Sequence, residues 1–209
     1  MTGLRVWRIP HSTNVERVAL ALGQKGLAVT WVDVDAADRS AVVGLSGQDL
    51  VPVLQAADGT VIADSTAIVD WLDEQVPEPA LYPADAAGRA QARIAIDWFN
   101  RVWKVAPNAI AAERAAPAPD DARIARLGTD LRGSLPWFEA LLHDRPFLLG
   151  DTPGAFDLCA FPFLKYGALP VAPGDADDFH RVLAEHLRLG GAFARLEAWI
   201  ARVDALPRA

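Results

Sequence analysis

The sequence contains very little of the chemistry used for metal binding or thiol redox reactions, with one cysteine and four histidines among 209 residues. A single thiol, Cys159, cannot form a disulfide, a Cys-x-x-Cys redox pair or a thiolate zinc site within one chain. His180 and His186 lie six residues apart, a spacing that does not place both imidazoles on one helical face. We therefore expect no metal and no dithiol exchange.

Positive charge and long apolar runs are also scarce. The 20 Lys and Arg are outnumbered by 27 Asp and Glu, giving a net charge of −7, whereas phosphate binding needs clustered cations. No run approaches the roughly 18 apolar residues of a membrane span, and Arg5 and Arg8 interrupt the region where a signal peptide needs an apolar stretch. These features predict a cytoplasmic protein that binds neither nucleic acid nor membrane.

Hydrophobic residues make up 52% of the chain, enough for one large domain or two small ones. Three prolines, Pro77, Pro79 and Pro83, occur in a stretch that cannot continue a helix. This stretch indicates a linker over residues 77–86, between a first domain of residues 1–76 and a second of residues 87–209.

The first domain has the pattern βαβαββα. Apolar runs predict strands at 4–9, 29–34, 51–54 and 61–63, and Asp58-Gly59 favours a tight turn that pairs the last two antiparallel. Helical spacing of apolar residues follows the first strand and again follows Asp64. A short helix is expected within residues 35–40.

The second domain reads as all-α. Its helical patterns cover residues 92–105, 120–142, 157–166, 178–189 and 192–206. Pro117 and Pro119 separate the first two helices. The expected fold is therefore an α/β domain followed by a helical bundle.

Three short motifs lie in the first domain, in this order: Ser12 five residues before Arg17, Val51-Pro52 ahead of the third strand, and Asp64-Ser65 at a helix start. On this architecture they resemble the cytosolic glutathione S-transferase family, and most nearly its serine-type classes (phi, tau and zeta) in a bacterial member. Phe147 to Asp151 and Asp157 extend the resemblance over nearly the whole chain. It implies a thioredoxin-like N-terminal domain and an all-α C-terminal domain.

The resemblance implies that Ser12 is the catalytic residue. A free cysteine-type thiol has a pKa of about 8.5, so little thiolate exists at neutral pH. A hydroxyl donor aimed at sulfur, together with the N-terminus of the following helix, lowers the thiol pKa by stabilising the charged form. The alternative is that Ser12 caps this helix, with Thr13 and Asn14 as rival caps.

The resemblance also implies a set of glutathione-binding residues: His11, Gln48, Val51, Pro52, Asp64 and Ser65. In the family the bond before this proline is cis, which turns the backbone groups of Val51 toward the cysteine of glutathione. Asp64 and Ser65, with the helix amides, would bind the ammonium and α-carboxylate of the γ-glutamyl group. The alternative is that Ser65 is the N-cap of the helix and Asp64 a favourable charge at its start.

The segment before Val51 departs from the family pattern. Leu50 stands where a polar residue usually contacts the glycine carboxylate of glutathione, and Asp49 adds a like charge. Either Gln48 compensates or the pocket prefers a thiol with a different far end. Gly154 likewise replaces the Ser/Thr of a capping box with Asp157, at a cost of a few tenths of a kcal/mol.

A second, apolar site for the electrophile is expected between the first loop and the first long helix of the second domain. Its candidate residues are Ile9, Trp98, Trp103, Pro107 and Asn108. Core packing is the alternative for the aromatic ones. Cys159 reads as a buried structural thiol.

The expected function is that of a glutathione transferase in detoxification, with glutathione as co-substrate and no metal. One alternative is a thiol-dependent cis-trans isomerase of the maleylpyruvate or maleylacetoacetate type. Another is a binding protein that keeps the fold without turnover. The resemblance also implies a homodimer that joins the first domain of one subunit to the second domain of the other.

Overall fold

A computed structural model describes residues 3–209 of the chain. These form two compact units: a first unit of residues up to Tyr82 together with Ala205–Ala209, and a second unit of Pro83–Asp204. The boundary after Tyr82 falls inside the stretch that the sequence indicates as a linker. Residues 205–209 belong to the first unit, although the sequence alone places them in the second domain.

The first unit contains four strands and three helices in the predicted order: β1 (Leu4–Arg8), α1 (Thr13–Gln24), β2 (Val29–Asp33), α2 (Ser40–Ser46), β3 (Val53–Gln55), β4 (Val61–Ala63) and α3 (Ser65–Gln75). The short helix expected within 35–40 was wrong, since α2 begins only at Ser40. The carboxylates of Asp35 and Asp38 instead accept hydrogen bonds from the N–H groups of Ala37 and Ser40. Such Asx turns fix a bend ahead of the helix.

The four strands form one sheet in the order β2-β1-β3-β4. Strand β1 runs parallel to β2 and antiparallel to β3, and β3 pairs antiparallel with β4, as the Asp58-Gly59 turn predicts. Strands β1 and β4 therefore run in the same direction. Their carboxyl ends and the amino end of β3 meet at one edge of the sheet.

Both faces of the sheet are covered. Trp7, Val42 and Val53 belong to an apolar cluster that joins the sheet to α2. Helices α1 and α3 pack against each other and bury Val18 and Leu72 completely. Each helix start beside the sheet edge is thereby held by a packed helix body.

The second unit is all-α, as predicted. It contains α4 (Ala86–Trp98), a π-helical turn (Phe99–Trp103), α5 (Val105–Arg114), α6 (Asp121–Gly133), α7 (Leu135–Leu141), α8 (Ala155–Leu164), a 3₁₀ turn (Lys165–Gly167), α9 (Asp178–His186) and α10 (Ala194–Asp204). None of the helices within residues 3–209 is long and apolar enough to cross a membrane.

Two helix predictions in the second unit were wrong. The helix expected over 120–142 is two helices, α6 and α7, with Pro136 in the first turn of α7. Proline lacks an N–H and its ring clashes with the carbonyl four residues earlier, so α6 cannot continue through Pro136 and ends at Gly133. The sequence also missed α5, which continues from the π-helical turn.

Asp157 connects three elements in the core of the second unit. Its carboxylate accepts hydrogen bonds from the N–H of Leu148 at 2.9 Å, the N–H of Gly154 at 2.9 Å and the indole N–H of Trp199 at 2.7 Å. Because Gly154 has no side chain, only the Asp157 half of a capping box exists. Desolvation in this buried position raises the pKa of Asp157 to about 6, against the lowering effect of the three donors.

Candidate functional site

The sheet topology brings the three motif segments of the first unit to one edge. The loop 9–12 follows β1, the Val51–Pro52 step precedes β3, and the Asp64–Ser65 pair follows β4. Since β3 lies between β1 and β4, and neighbouring strands are about 4.8 Å apart, the outer two segments are about 10 Å apart. That span suits a small extended peptide.

Ser12 occupies the cap position of α1 and is half-buried. Its backbone N–H donates to the carbonyl of Ile9 at 3.3 Å, and its carbonyl accepts from the N–H of Glu16 at 3.0 Å. The hydroxyl, however, makes no capping hydrogen bond to the helix. The capping alternative for Ser12 is therefore wrong. Ser12 still stands at the N-terminus of α1, where the helix favours negative charge.

The Val51–Pro52 peptide bond is cis, as the resemblance implies. Among residues 3–209, the backbone N–H and C=O of Val51 have no hydrogen-bond partner. Val51 and Ile9 both pack against the apolar cluster that contains Val53. An unpaired backbone donor and acceptor at the end of a strand can hydrogen-bond an extended ligand as an added strand.

Asp64 caps α3, with its Oδ1 accepting from the N–H groups of Thr66 at 2.8 Å and Ala67 at 3.0 Å. The N-cap alternative for Ser65 is therefore wrong, because Asp64 is the cap and the buried Ser65 hydroxyl accepts a hydrogen bond from Arg17. Asp64 has φ 84°, a left-handed conformation that is uncommon for a residue with a side chain.

His11 is the other described non-glycine residue with positive φ, at 66°, and it lies exposed in the loop after β1. Both left-handed residues, His11 and Asp64, therefore flank the same sheet edge. Backbone conformations of this kind cost free energy and occur preferentially where ligands bind.

Arg17 has a role that the sequence motif does not reveal. Its side chain is 2% exposed, and its Nη1 donates to the hydroxyl oxygen of Ser65 at 3.3 Å. Arg17 donates to one lone pair of that oxygen, so the hydroxyl hydrogen points away from Arg17 and the second lone pair is not used by this bond. A buried guanidinium therefore ties α1 to the start of α3 and places a positive charge beside Ser65.

Gln48 is engaged in local hydrogen bonds. Its Nε2 donates to Ser46 Oγ at 3.2 Å and to the carbonyl of Leu50 at 2.8 Å, while its Oε1 accepts from the N–H of Leu50 at 2.6 Å. These bonds close the 46–50 loop around one side chain. Leu50 itself is 64% exposed beside this loop.

Arg39, which sequence reasoning missed, supplies a cation next to the same loop. Its Nη1 donates to the carbonyl of Asp49 at 3.1 Å and its Nε to the carbonyl of Ala36 at 3.3 Å. Arg39 also stands at the cap position of α2. A lone arginine in a polar segment carries no sequence signal, because only the folded chain brings residues 39 and 49 together.

The electrophile-site candidates have different surroundings. Ile9 is half-buried in the first unit, and the other four lie in the second unit, where Pro107 is buried and Asn108 is exposed. Trp103 is 4% exposed, stacks on Phe99 with centroids 4.4 Å apart and donates its indole N–H to Ser134 Oγ at 2.9 Å. These contacts support the core-packing alternative for Trp103.

Trp98 is half-buried and packs against Trp137, with ring centroids 4.7 Å apart. Cys159 is buried beside Asn100, in agreement with a structural thiol. Within residues 3–209 there is no group of three or more His, Cys, Asp or Glu side chains that could hold a metal ion.

Comparisons with known proteins agree with this architecture. The family model for the glutathione S-transferase N-terminal domain matches residues 7–80. The chain is 29% identical over 205 residues to a maleylpyruvate isomerase of a Ralstonia species, covering 85% of this chain and 95% of the relative.

Solved structures show the same fold. A Tau class glutathione S-transferase from mango superposes with a TM-score of 0.80 at 21% identity, covering 98% of this chain and 89% of that one. Rice GST1 in complex with glutathione gives a TM-score of 0.76 at 24% identity, covering 96% of this chain and 87% of that one.

Proposed function

Because this chain belongs to the cytosolic glutathione S-transferase family, we propose that it is a glutathione transferase that attacks small hydrophobic electrophiles. Glutathione binds along the sheet edge, and its sulfur is held as the thiolate beside Ser12. The thiolate sulfur forms a bond to the electrophile, so glutathione becomes part of the product and is consumed as a co-substrate. Removal of reactive electrophiles is the corresponding cellular role.

The observation that carries this proposal is the position of Ser12 at the N-terminus of α1, with a hydroxyl that makes no capping hydrogen bond to the helix. Lowering a thiol pKa by two units requires roughly 2.7 kcal/mol of preferential stabilisation of the anion. A hydrogen bond to a charged group contributes about 1.5–3 kcal/mol and a helix terminus about 0.3–1 kcal/mol. Together they supply the required free energy.

The remaining groups suit the parts of glutathione. The γ-glutamyl α-carboxylate is negatively charged and fits the start of α3, where Ser65 lies beside the Arg17 guanidinium. The γ-glutamyl ammonium fits the Asp64 carboxylate, and the cysteinyl backbone fits the unpaired groups of Val51. Pro52 and His11 shape the walls of this edge, and Gln48 holds the adjoining loop.

Direct titration tests the proposal. Isothermal titration calorimetry with glutathione should give a dissociation constant in the range of about 1 μM to 1 mM, where substrate constants usually fall. A glutathione analogue with serine in place of cysteine should bind more weakly, because it offers no thiolate to Ser12. The absence of binding by glutathione and by γ-glutamylcysteine at millimolar concentration would overturn the proposal.

The far end of the ligand can be tested with Arg39. Replacing it by alanine should weaken the binding of glutathione about 10-fold, which corresponds to the loss of one charge-assisted hydrogen bond. Binding of γ-glutamylcysteine, which lacks the glycine carboxylate, should not change. Arg126→Ala, at an exposed position of α6, is the matched control. Equal effects of Arg39→Ala on both thiols would exclude this role.

The Ralstonia relative, named as a maleylpyruvate isomerase, favours one second candidate. An isomerase uses the same thiolate to add to a cis double bond, and it releases the thiol again after rotation about that bond. The two activities differ in stoichiometry. Loss of one thiol per product formed identifies the transferase, whereas turnover of maleylpyruvate at constant thiol concentration identifies the isomerase.

We also propose a homodimer, on the ground of family membership. Light scattering at micromolar concentration should give a mass of about twice the 22.5 kDa of one chain. A mass of one chain at that concentration would exclude a stable dimer.

A further inference from the structure

Residues 205–209 pack against one face of α1. Arg208 donates to the Oε1 of Glu16 from Nη2 at 3.0 Å and from Nε at 3.3 Å. The N–H of Ala209 donates to the carbonyl of Ala19 at 3.2 Å. Positions 16 and 19 lie about one turn apart on the same helical face. The segment is thus attached to the first two turns of the helix that begins beside Ser12.

Two further contacts hold this segment in the first unit. The indole N–H of Trp31 donates to the carbonyl of Ala209 at 3.2 Å. The backbone of Pro207 approaches Gly23 so closely that a Cβ there would lie 2.1 Å from the Pro207 oxygen. Position 23 must therefore be glycine for the segment to lie where it does.

Glu16 is the acidic residue of the first turn of α1. Its N–H bonds to the carbonyl of Ser12, and its side chain is only 15% exposed. A carboxylate in this position opposes a second anion at the same helix terminus, because like charges repel each other. Arg208 places the compensating positive charge within hydrogen-bond distance.

We propose that Arg208 is a positioning residue that controls the thiol pKa at Ser12 by neutralising Glu16. This inference rests on the proposed function, because it requires a thiol at Ser12. The segment 205–209 then acts electrostatically as well as structurally. At roughly 8–10 Å and an intermediate dielectric constant, one uncompensated charge shifts the pKa of the thiol by about 0.3–0.6 units.

The other charged groups around this helix terminus are unchanged by substitutions at 16 and 208. By their positions in the chain and sheet they include the titratable His11 in the preceding loop, Arg17 on α1 and Asp64 at the start of α3. Lys25 and Asp73 pair at 2.6 Å, with Lys25 just beyond the opposite end of α1. These groups form a constant background against which the Glu16–Arg208 pair can be varied.

The test measures the pH dependence of thiolate absorbance for glutathione bound to wild type, Arg208→Gln, Glu16→Gln and the double variant. Arg208→Gln should raise the thiol pKa by about 0.3–0.6 units, and Glu16→Gln should lower it by a similar amount. The double variant should return close to the wild-type value. Arg202→Gln, on α10 of the second unit, is the control and should cause no shift.

Opposite shifts separate this proposal from a purely structural role. Both single variants break the same ion pair, so a structural role would move the thiol pKa in the same direction in both or in neither. The proposal is overturned if the thiol pKa is the same in wild type and Arg208→Gln. If Arg208→Gln does not fold, an unshifted thiol pKa in Glu16→Gln overturns it instead. A wild type that binds glutathione without forming any thiolate overturns the proposed function as well.

Discussion

Replacing Ser12 by alanine is expected to remove most of the thiolate from the bound thiol and to lower kcat/KM for conjugation by about 10- to 100-fold. The loss corresponds to one hydrogen bond to a charged group, about 1.5–3 kcal/mol. Stopped-flow absorbance of the thiolate and steady-state conjugation of an aryl halide measure the two effects. The folded structure should persist, because the Ser12 hydroxyl caps nothing.

Two control variants make this result specific. Ser12→Thr keeps a hydroxyl and should keep most of the activity, whereas Ser40→Ala removes an exposed hydroxyl at the start of α2 and should have no effect. A Ser12→Ala variant with wild-type thiolate absorbance would remove Ser12 from catalysis. The N-terminus of α1 would then be the remaining group that stabilises the thiolate.

Asp157→Ala is expected to lower the free energy of unfolding by about 3–5 kcal/mol, the largest effect on stability among these variants. The substitution leaves the N–H groups of Leu148 and Gly154 and the indole N–H of Trp199 without their buried acceptor. Denaturant unfolding followed by tryptophan fluorescence measures the loss. Asp151→Ala, at an exposed position nearby, should change stability by less than about 0.5 kcal/mol.

The same carboxyl group gives a pH dependence of defined sign. Its pKa is raised to about 6 in the folded state by desolvation and is about 3.9 when unfolded. The folded state therefore holds the proton more tightly, and stability decreases as the pH rises from about 4 to 6. The full difference is about 3 kcal/mol.

Asp157→Asn isolates this contribution, because an amide does not titrate. The difference in unfolding free energy between wild type and Asp157→Asn should change by about 2 kcal/mol between pH 4 and pH 7, in favour of wild type at the lower pH. A difference that is independent of pH would mean that the buried carboxyl group does not titrate in this range.

Short-range patterns predicted much of the first unit. The alternation of apolar residues gave the strands, and Asp58-Gly59 gave the β3–β4 hairpin. The 35–40 helix failed, because Asp35 and Asp38 bond to nearby N–H groups and compete with helix formation. In the second unit, the break between α6 and α7 was missed although Pro136 was visible in the sequence.

The candidate site was predicted less completely than the fold. Resemblance selected Ser12, Val51 and Asp64, and the sheet topology brings their segments to one edge. It did not select Arg39, and it left Gln48 open as a ligand contact although its amide closes a loop. Side-chain hydrogen bonds depend on which residues the folded backbone brings together, and the composition of the chain does not determine that.

The sequence by itself determined the order of strands and helices, the all-α character of the second unit and the segments that carry the chemistry. These follow from patterns within about ten residues, where apolar spacing and turn residues act directly on the backbone. Tertiary structure alone decided which polar groups are engaged and which are left unbonded. Arg17 meets Ser65 across 48 residues and Arg208 meets Glu16 across 192, and separations of that size are closed only by packing of the core.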